Sequence, residues 1–227
     1  IYKMLIKIFI KEEDIMVFQN KDDKKFFIHK KLVTICQSHI ISGSGVDTNY
    51  FKPDLNFSKK YDLILHSRML IDKGITEVID AIRIIKPSMN LSILFLGSPD
   101  IKNLASIKEI NLRKWTKQKL IKWLPEKKSV KKYILQSKVA ILPSYREGFP
   151  KSLLEAASCG LPIITTNVPG CKEICISKFN GLLVEPRNSR QLAKAIKEMF
   201  KDDDKIKLMG KRSREIVVQQ FSDKIIS

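Results

Sequence analysis

Two glutamates, Glu147 and Glu155, lie in a segment whose residue types suit the binding of an anion and of hydroxyl groups. The run S-Y-R-E-G-F-P-K-S-L-L-E at residues 144–155 follows an apolar stretch and includes the turn residue Gly148. Pro150 comes next and is typical of a first helical position. Free N–H groups at such a helix start form an anion site that suits a diphosphate. Glu147 could face the cleft and Glu155 could bind ribose hydroxyls, although a helix-terminal charge and a surface glutamate are equally compatible with the pattern.

The elements that must position these residues alternate between strand and helix. Several strand candidates are apolar throughout, which is typical of strands covered on both faces. We expect strands at residues 15–18, 39–42, 62–66, 91–96, 139–143, 163–166 and 182–184. We expect helices at residues 74–86, 101–112, 129–136, 152–159, 189–200 and 205–220. This order predicts an α/β fold, a Rossmann-like, doubly wound parallel sheet with helices on both faces. In such sheets ligands bind beyond the carboxyl ends of the strands. His66 ends one strand, where it can line the cleft, although a core or rim histidine fits the pattern as well.

Both ends of the chain suggest a piece of a larger protein. The chain begins with Ile1 rather than methionine, and residues 1–10 have an amphipathic helical pattern. The strand at residues 15–18 precedes a linker-like stretch and the turn at residues 43–45, so we assign it to a neighbouring domain and expect it to lack a partner strand. The predicted division is 1–38 and 39–227. A new helix is expected to begin after Phe221.

The charge balance favours an anionic partner. The chain has 42 Lys and Arg against 24 Asp and Glu, a formal net charge of +18. Nucleic acid, a membrane surface or a phosphorylated substrate would each suit this excess, but the basic residues are widely spread and compositional bias is an alternative. Trp115 and Trp123 lie among lysines, a pattern that suits a lipid headgroup layer better than base readout; a solvated helix face is the other interpretation. No apolar run approaches the roughly 18–20 residues that cross a bilayer.

Metal binding is not expected from the cysteines and acidic residues. Cys171 and Cys175 are four residues apart, but no second ligand pair follows them, so a zinc site is disfavoured. Unpaired thiols fit a reducing, cytoplasmic compartment. The Asp-x-Asp pattern at residues 202–204 is predicted to be a solvated turn.

The segment around the two glutamates resembles the Glu-x7-Glu signature of glycosyltransferase family 4, whose members are retaining enzymes with the two-domain GT-B fold. The likeness spans about residues 15–221 in collinear order. Its other parts are residues 159–166 (CGLPIITT), 169–173 (PGCKE), 180–184 (NGLLV), 43–47 (GSGVD), 51–53 (FKP), Arg68, 72–74 (DKG), and 19–20 (QN) with 22–23 (DD). The last of these is similar to the end of the acceptor domain in relatives that build lipid-linked bacterial polysaccharides.

The resemblance implies roles for individual residues. Glu147 would bind hydroxyls of the transferred sugar, and Glu155 would bind the ribose of the nucleotide. Arg68 and Lys73 would neutralise the diphosphate, because cationic donors stabilise the charge that develops on a leaving nucleoside diphosphate. The donor would also contact the turn and the helix start, formed by Gly148, Phe149, Lys151, Ser152 and Leu153.

The implied function is that of the donor-binding half of a retaining glycosyltransferase. It would transfer a sugar from a nucleoside diphosphate, UDP by expectation, without a metal or another cofactor. The acceptor would be lipid-linked or a glycan, bound by a missing N-terminal domain at the inner face of the plasma membrane, and peripheral membrane contact is a further expectation. Nucleic acid is not an expected partner.

Three alternative hypotheses for the function remain. The chain could bind a nucleotide sugar without transferring it, because the acceptor domain is absent. The charge could serve nucleic-acid binding, which would weaken steeply with salt and would not depend on Glu147. A sugar-nucleotide epimerase of the same architecture is disfavoured by the spacing of Glu147 and Glu155.

Overall fold

Parallel strands form the centre of the computed structural model, which describes residues 10–226. In chain order the strands are β1 (Met16–Phe18), β2 (Ser38–Ile40), β3 (Tyr61–His66), β4 (Ile93–Leu96), β5 (Lys122–Leu124), β6 (Ser137–Leu142), β7 (Ile163–Thr166) and β8 (Gly181–Val184). The last six form one parallel sheet in the order β5-β4-β3-β6-β7-β8. The chain builds outwards from β3 to β5 and then returns to β6 on the other side of β3. The strand order therefore reverses between β3 and β6, the point at which open α/β sheets bind their ligands.

Helices cover both faces of this sheet. They are α1 (Lys21–His29), α2 (Ile75–Ile85), α3 (Glu109–Lys117), α4 (Lys131–Leu135), α5 (Lys151–Ser158), α6 (Cys171–Ile174), α7 (Ser189–Met199), α8 (Asp203–Gln220) and α9 (Asp223–Ile226). Successive residues of β3 point to opposite faces: Leu63 and Leu65 pack in one core cluster with α2 and α7, and Ile64 packs in another with α4 and α5. Burial on both faces explains why the strands read as continuous apolar runs.

Most of the predicted elements are confirmed, with ends that shift by no more than two residues. Three elements were not predicted: β5, α1 and α6. The helix predicted at residues 101–112 is wrong in its first part, because α3 begins only at Glu109 and ends at Lys117. Ile101 and Leu104 have helical spacing, but both side chains are exposed. The predicted helix at residues 1–10 lies outside the described residues apart from residue 10.

The N-terminal strand has a partner, contrary to expectation. β1 pairs in parallel with β2, from Met16 opposite Ser38 to Phe18 opposite Ile40. The predicted division after residue 38 falls within this small sheet, and the domain boundary stays a prediction. The helix expected after Phe221 is α9.

Two surface interpretations need correction. Trp115 is buried, and the indole N–H of Trp123 donates to the Gly97 carbonyl at 2.9 Å, so both rings belong to the packing around β5. Residues 202–204 are exposed, as predicted, but they form the start of α8 and not a turn: Asp202 caps the helix by accepting from the N–H groups of Asp204 and Lys205. Within residues 10–226, no helix is both long and apolar enough to cross a membrane.

Candidate functional site

The carboxyl ends of β3 and β6 carry the residues that the sequence singled out. His66 is the last residue of β3, and Arg68 follows it by two positions. Beyond β6, the segment that contains Glu147 is held by hydroxyl groups of β7. Thr165 Oγ1 donates to the Leu142 carbonyl at 2.6 Å, and Thr166 Oγ1 donates to the Ser144 carbonyl at 2.5 Å. The two strand ends therefore meet at the reversal point of the sheet.

Glu147 and Lys73 form a mostly buried ion pair at this point. Lys73 Nζ lies 2.7 Å from Glu147 Oε1, and the two side chains are 15% and 12% exposed. Ser144 Oγ also donates to Glu147 Oε1, at 2.6 Å. The carboxylate is thus fixed by one cation and one hydroxyl group. Removing one partner of a pair with so little solvent contact lowers the stability of the fold, because the remaining ion would be buried without compensation.

Lys73 reaches Glu147 because its turn packs against the end of β6. The 3-10 turn Ile71–Lys73 ends at Gly74, whose φ of 70° belongs to the left-handed region. A Cβ on Gly74 would lie 2.2 Å from the Pro143 carbonyl oxygen, so only glycine allows this approach. The N–H of Tyr145 donates to the Asp72 carbonyl at 2.8 Å and joins the two segments directly.

Tyr145, two residues before Glu147, fixes the Glu147 loop through its side chain. Its hydroxyl group donates to Glu77 Oε1 at 2.6 Å, and the Arg187 guanidinium lies 4.6 Å from its ring centroid. Burial, together with the Glu77 carboxylate, raises the pKa of Tyr145 to about 12. The phenol therefore stays protonated and keeps its hydrogen bond through the physiological range.

Glu155 is bonded to His66, for which the sequence left a place in the cleft wall, in the core or on the rim open. Glu155 lies in α5, and its Oε2 is 3.2 Å from His66 Nε2. The carboxylate accepts this bond in the His66 tautomer that carries its proton on Nε2. Both side chains are largely buried. His66 thereby links the end of β3 to the second turn of α5.

A cavity of about 560 Å³ opens beside this histidine. Its lining includes His66, Arg68, Gly97 and Ser152, which come from three segments of the chain. Lys73 and Glu147 are not among its lining residues. Arg68 is on the rim, with 64% of its side chain exposed, and it pairs with Asp100 at 3.0 Å. The structure thus brings Arg68, His66 and the start of α5 together around one cavity, with the Lys73–Glu147 pair elsewhere at the same reversal point.

The start of α5 differs in detail from the prediction. Pro150 is the N-cap, with extended backbone angles, and the helix proper begins at Lys151. The Leu153 N–H donates to the Pro150 carbonyl at 3.0 Å, and the Leu153 side chain is buried in the core. The first N–H groups, those of Lys151 and Ser152, precede this bond and are the ones suited to an anion. The Phe149 ring packs against Phe221, with centroids 5.1 Å apart.

The N-terminal segment forms a wall against the Glu147 loop, a contact that sequence reasoning missed. Asn20 Nδ2 donates to the Gly148 carbonyl at 3.1 Å. Asp23 pairs with Arg146 at 2.9 Å, and Asp22 pairs with Lys172 of α6 at 2.9 Å. The resemblance at residues 19–23 was the only signal that could have indicated this contact, since these residues are more than a hundred positions from Gly148.

Metal ligands are not grouped in the described part of the chain. Among residues 10–226 there is no cluster of three or more His, Cys, Asp or Glu side chains that could hold a metal ion. Burial raises the pKa of Cys171 to about 12, and that of Cys175 is raised in the same way. These thiols therefore stay neutral. The expectation of a site without metal or cofactor stays a prediction, as do the roles of the individual site residues.

The family comparison matches residues 46–216 to the description "Glycosyl transferases group 1". A Campylobacter jejuni relative, N,N'-diacetylbacillosaminyl-diphospho-undecaprenol alpha-1,3-N-acetylgalactosaminyltransferase, is 25% identical over 100% of this chain and 60% of its own length. The capsular polysaccharide biosynthesis glycosyltransferase CapM of Staphylococcus aureus is 28% identical over 82% of this chain and 51% of its own length. The chain thus spans about half the length of the curated relatives it matches.

Among solved structures, HepE of Anabaena in complex with UDP superimposes with a TM-score of 0.82. The identity is 20%, over 94% of this chain and 61% of that one. At this level of identity the likeness shows the fold. The sheet with helices on both faces is therefore of the kind found in GT-B glycosyltransferases.

Proposed function

This chain belongs to the glycosyl transferases group 1 family, and we propose that it binds the donor of a sugar transfer, a UDP-linked sugar, at the reversal point between β3 and β6. The transfer we propose retains the anomeric configuration and needs no metal ion. The acceptor is a lipid-linked or polysaccharide intermediate at the cytoplasmic face of the membrane. A second domain outside these residues binds it, and residues 1–38 belong to the junction with that domain.

The proposal rests on three groups at the reversal point of the sheet. Two carboxylates, Glu147 and Glu155, are each fixed by a neighbouring side chain, and a cation, Arg68, lies on the rim of the cavity. Glu147 is fixed by Lys73, so its remaining lone pairs have a defined direction toward hydroxyl groups of a sugar. Glu155 is bonded to His66, which lines the cavity, whereas Glu155 itself is not among the lining residues. The ribose contact we propose for it uses the 15% of its side chain that is exposed. Arg68 is on the rim of that cavity, and ordered carboxylates and cations of this kind recognise polyhydroxyl and diphosphate groups through charge-assisted hydrogen bonds.

The two cations would meet a diphosphate at different energetic costs. The Arg68–Asp100 pair is exposed, and such pairs contribute only about 0–1 kcal/mol. Arg68 can therefore exchange Asp100 for a phosphate oxygen with little loss. Lys73 is mostly buried and keeps Glu147, but an ammonium group has three N–H donors and can add a phosphate oxygen to the carboxylate. The N–H groups that begin α5 complete the anion site.

The size of the cavity and the names of the relatives support the donor and acceptor that we propose. A cavity of about 560 Å³ is within the range of small-molecule sites, and HepE of Anabaena was solved with UDP. The name of the Campylobacter jejuni relative describes an acceptor carried on diphospho-undecaprenol, and that of CapM describes capsular polysaccharide. These names support a membrane-borne or polysaccharide acceptor for this chain.

Calorimetric titration with UDP and uridine tests the phosphate assignment. Hydrogen bonds to charged groups are worth about 1.5–3 kcal/mol, so Arg68→Ala should weaken UDP binding by about 10–100-fold and leave uridine nearly unaffected. Arg83→Ala is the matched control, because Arg83 is also an exposed arginine paired with an aspartate, on the surface of α2. Equal UDP affinity of Arg68→Ala and the parent would contradict the assignment.

Titration with a UDP-sugar separates the two glutamates. Glu147→Gln should weaken binding of the UDP-sugar and spare UDP, because only the sugar meets this residue. Glu155→Gln should weaken both ligands, since the ribose is common to them. A Glu147→Gln variant that loses the same factor of affinity for UDP and UDP-sugar would exclude a sugar contact.

The second candidate is a chain that binds the donor without transferring the sugar. It is favoured by the span of the chain, about half of its curated relatives. Transfer requires the anomeric carbon and the acceptor oxygen to be held at near-attack distance, which supplies several kcal/mol of the barrier. We expect negligible turnover of labelled UDP-sugars by the purified chain with membrane extracts. Sustained transfer would contradict the interpretation that the chain binds the donor but does not transfer the sugar.

A further inference from the structure

A protruding surface combines exposed aliphatic side chains with lysines at the carboxyl end of β4. It consists of the loop at residues 99–108 and one face of α3, as far as its last residue, Lys117. Ile101 and Leu104 are 98% and 105% exposed, respectively, so neither side chain packs on the protein. Ile101, Leu104, Lys108 and Lys117 all line one cavity of about 990 Å³, so the aliphatic and cationic groups border the same depression.

The charge of this region is strongly one-sided. Residues 99–132 contain eleven Lys and Arg against three Asp and Glu. Two of the three acids are matched by arginines, because Glu109 pairs with Arg113 and Asp100 pairs with Arg68. Within residues 10–226, Lys102, Lys108 and Lys117 take part in none of the ion pairs to acidic groups that the structure contains. Their charge is available to an external anion.

We propose that this surface docks the protein on an anionic lipid bilayer, with Ile101 and Leu104 inserted among the headgroups and Lys108 and Lys117 against anionic lipid. The proposal deepens the proposed function, since it rests on a membrane-borne acceptor. Aliphatic side chains flanked by lysines are the composition of interfacial membrane segments, whose binding combines buried apolar area with attraction to anionic lipids. A protein interface is a weaker match, because lysine is depleted at such interfaces.

The docking surface is placed where it would serve the donor site. The loop at residues 99–108 also contributes Ile101 and Lys102 to the lining of the 560 Å³ cavity. A bilayer that contacts this loop would therefore lie beside the cavity proposed for the donor. Tryptophan is not needed for this contact, since Trp115 is buried and the Trp123 indole is bonded within the fold.

Co-sedimentation of the chain with vesicles tests the proposal, with phosphatidylcholine alone and with added phosphatidylglycerol. We expect binding to the anionic vesicles and little to the neutral ones. Attraction of each lysine near the surface corresponds to about a five-fold gain in affinity, so the double variant Lys108→Gln, Lys117→Gln should bind about 25-fold more weakly. Leu104→Asp should weaken binding by about tenfold or more, because it removes an inserted aliphatic group and adds a negative charge.

Leu55→Asp is the matched control. Leu55 is 102% exposed, but it precedes β3, whereas the loop at residues 99–108 follows β4. Because β3 and β4 are parallel, Leu55 lies toward the amino ends of the strands and the loop lies at their carboxyl ends. It should bind vesicles as the parent does. No binding of the parent to anionic vesicles, or equal losses in Leu55→Asp and Leu104→Asp, would overturn the proposal. Binding to heparin but not to vesicles would overturn it in favour of a soluble polyanion.

Titration of the same variants with UDP keeps the two proposals apart. Leu104 and Lys108 do not line the 560 Å³ cavity, so Leu104→Asp should bind UDP as the parent does. Failure of the parent to bind UDP would contradict the donor site and leave the vesicle result standing. Normal UDP binding without vesicle binding would contradict the membrane surface alone.

Discussion

The Lys73–Glu147 pair allows a quantitative test of the candidate site. Lys73→Met removes the cation and leaves the Glu147 carboxylate 12% exposed, with the Ser144 hydroxyl as the partner that the structure gives it. Removing one partner of a buried ion pair destabilises a protein by about 3–5 kcal/mol. Because both side chains keep some solvent contact, we expect the lower value, about 3 kcal/mol. In a chain of this length that corresponds to a fall in Tm of about 6–12 °C.

A double-mutant cycle isolates the pair from other effects. Glu147→Gln and the double variant complete the cycle, measured by urea unfolding. Removing both charges leaves no uncompensated ion, so the double variant should be more stable than additivity predicts, by about 2 kcal/mol. Arg83 and Asp80 form an exposed pair on α2, and the same cycle there should give a coupling below about 1 kcal/mol.

The ligand provides a second readout of the same cycle. Because Glu147→Gln is expected to spare UDP binding, UDP should stabilise Glu147→Gln and the parent by the same free energy. The stability gained on adding a UDP-sugar should be smaller for Glu147→Gln than for the parent. A coupling between Lys73 and Glu147 below about 0.5 kcal/mol would refute the reasoning, because it would mean that the two groups are effectively solvated.

Three further predictions concern the surroundings of the site. Gly170 has a φ of 81°, and a Cβ there would lie 2.5 Å from the Gly148 carbonyl oxygen, so Gly170→Ala should lower the free energy of unfolding by about 1–3 kcal/mol; a urea titration that matches the parent would contradict this. The pKa of Tyr145 is raised to about 12 in the folded state, so its contribution to stability is complete below pH 10 and is lost between about pH 10 and 12. Tyr145→Phe should remove that contribution, so that the free energy of unfolding falls less steeply with pH in this range, by up to about 1.4 kcal/mol per pH unit. An unchanged pH dependence of the free energy of unfolding would exclude the contribution of Tyr145. Cys36 is exposed, whereas Cys159, Cys171 and Cys175 are buried, so alkylation followed by mass spectrometry should label Cys36 alone until urea unfolds the chain, and fast labelling of a second thiol in the native state would be inconsistent with the fold.

The sequence by itself determined the order and type of most elements of the large sheet. Strands covered on both faces have to be apolar throughout, and amphipathic helices have to alternate with them, so the α/β class follows from composition along the chain. Short elements without such a pattern were missed. β5 has three residues, one of them a lysine at the sheet edge, and α6 has four residues, too few to show a helical period.

Local chemistry also indicated the loop that carries Glu147. A turn glycine followed by Pro150 marks a helix start, whatever the rest of the fold. Apolar spacing alone misled at Ile101 and Leu104, because two exposed side chains three residues apart imitate a helix face. Exposure is a property of the folded surface, and the sequence carries no direct record of it.

Only the tertiary structure decided which charges meet. Lys73 and Glu147 are 74 residues apart, and His66 and Glu155 are 89 apart. They meet because β3 and β6 are parallel neighbours whose carboxyl ends lie at the same edge of the sheet, and this adjacency depends on strand order, which local pattern leaves open. The contact of Asn20 with Gly148 likewise required the N-terminal segment to fold back on the Glu147 loop. Residue types along the chain determined what the site can bind, whereas long-range strand pairing determined which groups hold each carboxylate.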